Sequence, residues 1–436
     1  MTTPSDPGRD PILHRGVRAV VRRSRPVVKR ARARFVDSMA PMRSIDGPEL
    51  VPTPRIELDP DRTRPGRLVV LLNSLDLQRM TGGPNTAINL ASRFAVRGHE
   101  VCFIDVRGKD PVDVNRLRRH ATALAGQDLG NRVSFQTVGR PGTALRIGRQ
   151  DVVLATWWAT AHVAHRIVEM SGAPEFIYLI QDFEPAFYPW STNHVLALKT
   201  YDFAFRAIFN EALVRDHVVS LGIGRFRSEE AVRRSIAFEP AVDRRLFRAG
   251  PRSGAKRLLF YARPKNPRNA FELGLRALRQ AAAGGGIGPD WVVTSIGSQA
   301  PSLPLDRTRT MEAISWQSLT DYADLLGRSD VLLSLMLSPH TSYPPLEMAV
   351  AGGRTVTNTF GAKTASAMHA ISPRIRAVEP DVDVLASAVA AALAQADADR
   401  DPSPDQASLP ADWGAALAPT LDWLEETVAD LRSAAR

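Results

Sequence analysis

Five consecutive residues without a polar side chain, Leu68-Val69-Val70-Leu71-Leu72, constrain this chain more than anything else in it. A run apolar on both faces suits a strand covered by helices on both sides, the setting of a central strand in a parallel sheet. The residues after it agree. A turn at Gly82-Gly83 leads to a helical stretch from Pro84 to about Val96, closed by Gly98-His99, and then to a second apolar strand, Val101–Val106. This is a βαβ unit. Further strands are expected at Val152–Ala155, Phe176–Ile180, Phe203–Phe209 and Ser235–Phe238, with helices near 159–170, 192–200 and 211–221. The pattern then starts afresh at Lys256–Ala262. Helix 268–283 leads to strand Trp291–Ile296, helix 318–328 to strand Asp330–Leu335, helix 345–352 to strand Thr355–Thr357, and a helix spans roughly 382–396.

Two βα series of similar size within 436 residues predict an α/β protein with two Rossmann-like domains, at 66–250 and 251–410. Residues 411–436 add a final helix with Trp413, Leu417, Leu421, Leu424 and Val428 along one face. Residues 1–65 read as a basic arm and a proline-rich linker. Most of the net charge of +10 belongs to that arm: ten Arg or Lys fall between Arg9 and Arg34 against Asp6 and Asp10. The rest is nearly neutral, which counts against a nucleic-acid groove across the fold. Apolar residues at helical spacing among the arginines of 9–35 make the arm a candidate for an anionic membrane surface. No apolar run is long enough to span a bilayer, and no signal-peptide pattern follows the basic start. The single cysteine, Cys102, lies in an expected strand and reads as a buried thiol. These features point to the cytoplasm, with the arm able to sit on the inner face of the membrane.

In open α/β sheets ligands bind beyond the carboxyl ends of the strands, and three loops there carry chemistry. Gly82-Gly83, after the first strand, allows close backbone approach and precedes a helix start suited to an anion. It is not GxGxxG, so a nicotinamide dinucleotide fingerprint is absent. Arg263, Lys265 and Arg268 follow the first strand of the second series, and each arginine offers a planar fork to a diphosphate. Ser338–Ala349 follows the strand near Val331–Leu335; its helix start at Ser342, Tyr343 and Pro345 suits phosphate oxygens. Glu347 is expected in the first turn of that helix, as an acceptor for ribose hydroxyls. Asp182 and Glu184, in Gln181–Pro189, sit at another strand end, where either can orient a sugar or take a proton. Trp157-Trp158 reads as core or as a stacking surface. No metal site is expected, because His162 and His165 lie three apart without a carboxylate or third ligand near them.

A cation pair five residues apart after the first strand of a second Rossmann domain, followed by a Pro-Leu-Glu helix start, resembles the retaining GT-B glycosyltransferases of family four. The stretches Gln181–Pro189, Phe260–Pro264 and Ser338–Ala349 resemble more narrowly the WsaF-type rhamnosyltransferases, over roughly residues 66–430. The resemblance implies two domains facing across a cleft, the first on the acceptor side and the second holding the donor nucleotide, with the last helix returning to the first domain. It implies transfer of L-rhamnose from a thymidine-diphosphate donor to a glycan or lipid-linked glycan acceptor, with retention, in cell-surface polysaccharide synthesis. The nucleotide sugar would be a co-substrate, with no cofactor or metal. Arg263 and Arg268 would grip the diphosphate, Ser342 and Tyr343 cradle it, Glu347 bind the nucleoside sugar, and Gly82-Gly83 approach from the other domain. The loop from Gly297 and the segment near Ile314–Trp316 would meet the base. One departure stands out: the family's first glutamate would fall at position 339, which is proline here, so sugar recognition must differ. A nucleotide-sugar epimerase of the same fold, or a catalytically silent binding subunit of a glycan assembly complex, would share these features.

Overall fold

Both of the runs that open the two series become central strands. The computed structural model describes residues 50–436 apart from 62, 78–79, 81, 109–110, 140–141, 253, 298–300, 315–317, 401–406, 411 and 436; the basic arm lies outside them. In chain order the strands are β1 (Arg55–Leu58), β2 (Leu68–Leu72), β3 (Val101–Asp105), β4 (Val133–Thr137), β5 (Ala144–Ile147), β6 (Val152–Ala155), β7 (Phe176–Ile180), β8 (Phe205–Asn210) and β9 (Ser235–Phe238). The second series supplies β10 (Lys256–Tyr261), β11 (Trp291–Ile296), β12 (Leu303–Pro304), β13 (Thr310–Ile314), β14 (Val331–Leu333), β15 (Arg354–Asn358) and β16 (Ile375–Val378).

The first sheet runs β4-β3-β2-β6-β7-β8-β9 and the second β12-β13-β11-β10-β14-β15-β16. Every pairing in them is parallel except that of β12 with β13. In each sheet the first strand of the series has the second on one side and the fourth in its series on the other, once β5 and the short antiparallel β12 are set aside: β2 lies between β3 and β6, and β10 between β11 and β14. The strand order reverses at β2 and at β10, so each sheet opens a crevice beyond its carboxyl edge there.

Each sheet has an apolar layer on both faces. One layer of the first sheet is completed from the far end of the chain. Asp412 caps the helix Trp413–Ala434 by accepting the Ala415 N–H at 2.9 Å, and Leu417, Leu421, Leu424, Val428 and Leu431 pack with Leu68, Val70 and Phe94. Arg432 ties its end to the carbonyls of Gly66 and Gln150, at 2.7 and 3.1 Å. The last helix therefore returns to the first domain.

The linker reading needs correction at its end. Residues 55–58 form β1, paired in parallel with β5, with Ile56 buried. Prolines at 52, 54 and 60 flank this strand without entering it, so no ladder hydrogen bond is lost.

Candidate active site

Loops from the carboxyl edges of both sheets meet. From the first domain come the start of the helix Gly82–Val96, the Gln181–Phe187 segment beyond β7, and Glu211 beyond β8. From the second come Arg263 and Arg268 beyond β10 and Ser338–Tyr343 beyond β14. The Ser338 hydroxyl donates to Asp182 Oδ1. The Tyr343 ring lies 3.6 Å from where a Cβ would stand at Gly82, and its hydroxyl sits beside Thr86 and Asn210 in a setting that pushes its pKa to about 12, chiefly through burial. A side chain at Gly83 would stand 3.0 Å from Gln181 Oε1. Both glycines are the first residues of the helix rather than a turn before it; their bareness makes room for Tyr343 and Gln181.

Arg268 is held by a short 3-10 turn, Pro267–Asn269. Asn269 Nδ2 donates to the Leu335 carbonyl at 2.9 Å and the Leu337 N–H to the Arg268 carbonyl at 2.7 Å, which staples this loop to the exit of β14. The guanidinium lies 3.9 Å over the Phe187 ring of the first domain, and its buried Nε has no hydrogen-bond partner among the described residues. Burial lowers its pKa; Asp182 and Glu184 oppose that, while Arg263 adds to it. An under-satisfied, partly desolvated guanidinium is what an anion would bind most strongly. Arg263 is half-buried beside the Tyr261 hydroxyl. Lys265 is exposed.

Glu347 departs from its sequence reading. The helix begins at Tyr343, so Glu347 is its fifth residue, beyond the first turn where the helix dipole acts. The Tyr322 hydroxyl holds it instead, donating to Oε2 at 2.9 Å. Pro344 and Pro345 fall inside the first turn and lack N–H groups, so this helix start offers fewer donors than its position suggests. Ser342 precedes it at φ 69°, and its N–H is already given to His340 Nδ1 at 2.9 Å. That bond makes Nδ1 an acceptor, so Glu211 Oε1, 3.3 Å from the same atom, takes its hydrogens from Thr341.

Burial lifts the Glu347 carboxyl from an ordinary 4.5 to about 7, against the pull of Tyr322. The folded state thus holds this proton more tightly than the unfolded chain. Its contribution to stability is complete below pH 4.5 and is lost as pH rises through 7. Urea unfolding of the wild type should show stability falling across that window, and Glu347→Gln should flatten that part of the profile. An unchanged slope in the variant would assign the pH dependence elsewhere.

Glu184 lies in one of the meeting loops, but its side chain is buried and turned to its own domain. Its Oε2 accepts the Trp158 N–H at 2.6 Å, at the start of the helix Trp158–Ser171. Burial drives its pKa well up, while the Trp158 N–H and Arg268 pull it down. Trp158 is core, with its indole N–H on the Tyr188 hydroxyl at 2.9 Å, while Trp157 is half-buried against Phe187. His162 binds the Leu196 carbonyl, and His165 does have a carboxylate nearby, Glu169 at 3.4 Å. Of the expected base-contacting segments, Gly297 takes φ 122° after β11 and Ile314 ends β13; Trp316 lies outside the described residues.

Three residues at this meeting point escaped the sequence reading. Glu211, fully buried, binds the Thr341 N–H and hydroxyl at 2.7 and 2.6 Å. His340 is buried beside it. Lys363 is also fully buried, with Nζ 2.6 Å from the Met336 carbonyl; burial brings its pKa down to about 8 although Asp182 and Glu211 pull it up. Glu211 follows an apolar strand and was findable by the strand-end rule. A lone lysine in a loop carries no such signal.

Comparison with known proteins agrees with this geometry. Residues 67–211 match the family description "WsaF, N-terminal domain" and residues 256–390 match "WsaF, C-terminal domain", together more than half of the chain. The O-antigen biosynthesis protein RfbC of Myxococcus xanthus is 36% identical over 239 residues, which is 52% of this chain but only 17% of that protein. Among solved structures, Anabaena HepE in complex with UDP and glucose superposes with a TM-score of 0.52 at 12% identity, covering 84% of this chain and 97% of its own. An α,α-trehalose 6-phosphate synthase from Burkholderia multivorans does so at 0.52 and 14%, covering 85% and 97%. At these identities the likeness is one of fold: two Rossmann-like domains in the GT-B arrangement.

Proposed function

This chain belongs to the WsaF family and has the GT-B fold, and from that premise we propose that it is a glycosyltransferase acting in O-antigen or related cell-surface polysaccharide synthesis. The observation that carries the reading is Arg268: a half-buried guanidinium with an unpartnered Nε, near Arg263, where loops of both domains meet. A nucleoside diphosphate leaving group develops negative charge as the sugar departs. Two guanidiniums set in a water-poor cleft stabilise that charge with little reorganisation, so no metal is needed for this step. The donor is a nucleoside diphosphate sugar, thymidine-diphosphate L-rhamnose by the sequence resemblance, and the sugar passes with retention to a glycan or lipid-linked glycan on the first domain. Glu347 takes the ribose hydroxyls. The arm of residues 9–35 holds the protein against the cytoplasmic face of an anionic membrane.

A thermal-shift panel of nucleoside diphosphates and their sugars tests the donor. A ligand present at a hundred times its Kd adds about 2.7 kcal/mol to the folded state, so a thymidine diphosphate species should raise Tm measurably and more than a uridine one at equal concentration. Equal shifts would leave the transferase and remove the rhamnose donor. No shift with any nucleoside diphosphate would remove the donor site itself.

A further inference from the structure

Glu211 occupies a position where a residue normally caps the helix beyond it, Ala212–Ser220, yet its side chain makes no such bond. Glu239 does the capping, accepting the Ala212 N–H at 3.0 Å. Freed from that task, the Glu211 carboxylate crosses to the second domain. Thr341 satisfies both oxygens, Oε2 through its N–H and Oε1 through its hydroxyl. The residue is completely enclosed and sits at φ 84°. A non-glycine residue keeps that conformation only where its surroundings over-determine it. Ser342, at φ 69°, lies one residue beyond Thr341 on the opposite side of the same contact. Two of the three non-glycine residues with positive φ among those described thus face each other across the domain boundary.

Among the described residues, the Ser338–Ser342 stretch makes only local hydrogen bonds within its own domain: the Ser338 N–H to the Met336 carbonyl, the His340 N–H to Ser338 Oγ, and the Ser342 N–H to His340 Nδ1. Its firm anchors belong to the first domain. Asp182 takes the Ser338 hydroxyl, Glu211 takes Thr341, and the Gly82 region takes the Tyr343 ring. Separating the domains would remove all three.

We propose that Glu211 is a positioning residue, which shapes the donor loop of the second domain from the first, so that the loop acquires its reactive geometry only when the domains are closed. The role of the loop rests on the transferase reading; the coupling itself does not. Arg263 and Arg268 belong wholly to the second domain and hold the diphosphate whether or not the loop is shaped. Losing Glu211 therefore harms turnover more than nucleotide binding.

The test uses the full chain with Glu211→Ala, Glu211→Gln, Thr341→Val and the Glu211→Ala/Thr341→Val double variant. Without ligand, amide exchange across 338–343 should quicken by about tenfold or more in Glu211→Ala, because the group that holds Thr341 is gone, and by less in Thr341→Val, which loses the hydroxyl bond but keeps the backbone N–H to Oε2. Glu211→Gln keeps the shape and one acceptor oxygen, so it folds if the alanine variant does not, and its exchange should fall between. In donor turnover, kcat should drop about 10- to 100-fold, the scale of a small misplacement at a reacting centre. The Kd for thymidine or uridine diphosphate should stay within about threefold, and the double variant should be no worse than the worse single one, as for groups acting as a unit. Unchanged exchange in every Glu211 variant overturns the proposal. So does a Kd that rises in step with the loss of kcat, or effects that multiply in the double variant. If the wild type binds neither nucleotide the transferase reading fails, and the exchange results still decide the coupling.

Discussion

Replacing Arg268 with alanine is expected to lower kcat/KM for donor turnover about 100- to 1000-fold, the usual cost of removing one preorganised donor from a developing anion. The guanidinium is half-buried, pressed on Phe187 and short of hydrogen-bond partners. A departing diphosphate would meet a group already paid for in desolvation. The fold should tolerate the change. The loop is tied down by the Arg268 carbonyl and by the Asn269 side chain, which remain, and an under-satisfied buried cation disappears. The ligand-free Tm should therefore move little while turnover collapses. Arg276→Ala, an exposed arginine on the next helix, should stay within about twofold of wild type, as surface substitutions do. Equal losses from the two variants would mean that general positive charge, rather than this guanidinium, serves the donor.

Leu424→Ala is expected to cost about 2–5 kcal/mol of stability, the range for a fully buried leucine whose site cannot collapse. Leu424 is wholly enclosed on the last helix, within the same apolar layer as Leu68, Val70 and Phe94. The loss should fall on the first domain although the residue lies near the end of the chain. Hydrogen exchange should show it: amides of Gly82–Val96 and of β9 lose protection, while β10 and β14 keep theirs. Uniform loss in both sheets would mean that the two domains unfold as one unit and that the last helix is no private part of the first.

Legibility in the sequence followed burial. β2, β3, β6 and β7 are enclosed on both faces, so continuous apolar runs announced them, and β11 matched at both ends. β4 alternates, with Val133 and Phe135 buried and Ser134 and Gln136 exposed, and it lies at a sheet edge; five residues of alternation do not stand out from a loop. β5, β13 and β16 were missed for similar reasons: they are short and mix polar with apolar residues. Helix starts shifted by at most three residues, and one shift mattered. Beginning at Tyr343 rather than 345, the Pro344-Pro345 helix carries Glu347 past its first turn and loses two donors to proline. The arginine pair was legible because two cations directly after a strand end point at a ligand edge in any parallel sheet. Glu211, His340 and Lys363 were not picked out, since each is an ordinary residue until its partner comes from elsewhere in the chain.

Alternating βα units, two apolar central runs, a basic arm set apart from a neutral body and an apolar seam on the final helix are local patterns. They can be read along the chain, because each depends on neighbours within a few residues and on which face must leave water. Glu211 and Thr341 are 130 positions apart, and Asp182 and Ser338 are 156 apart. Their pairing, the crowding of Arg268 onto Phe187 and the lifting of the Glu347 proton depend on desolvation and hydrogen bonding between segments that meet only once both sheets have formed. Tertiary structure alone decided those.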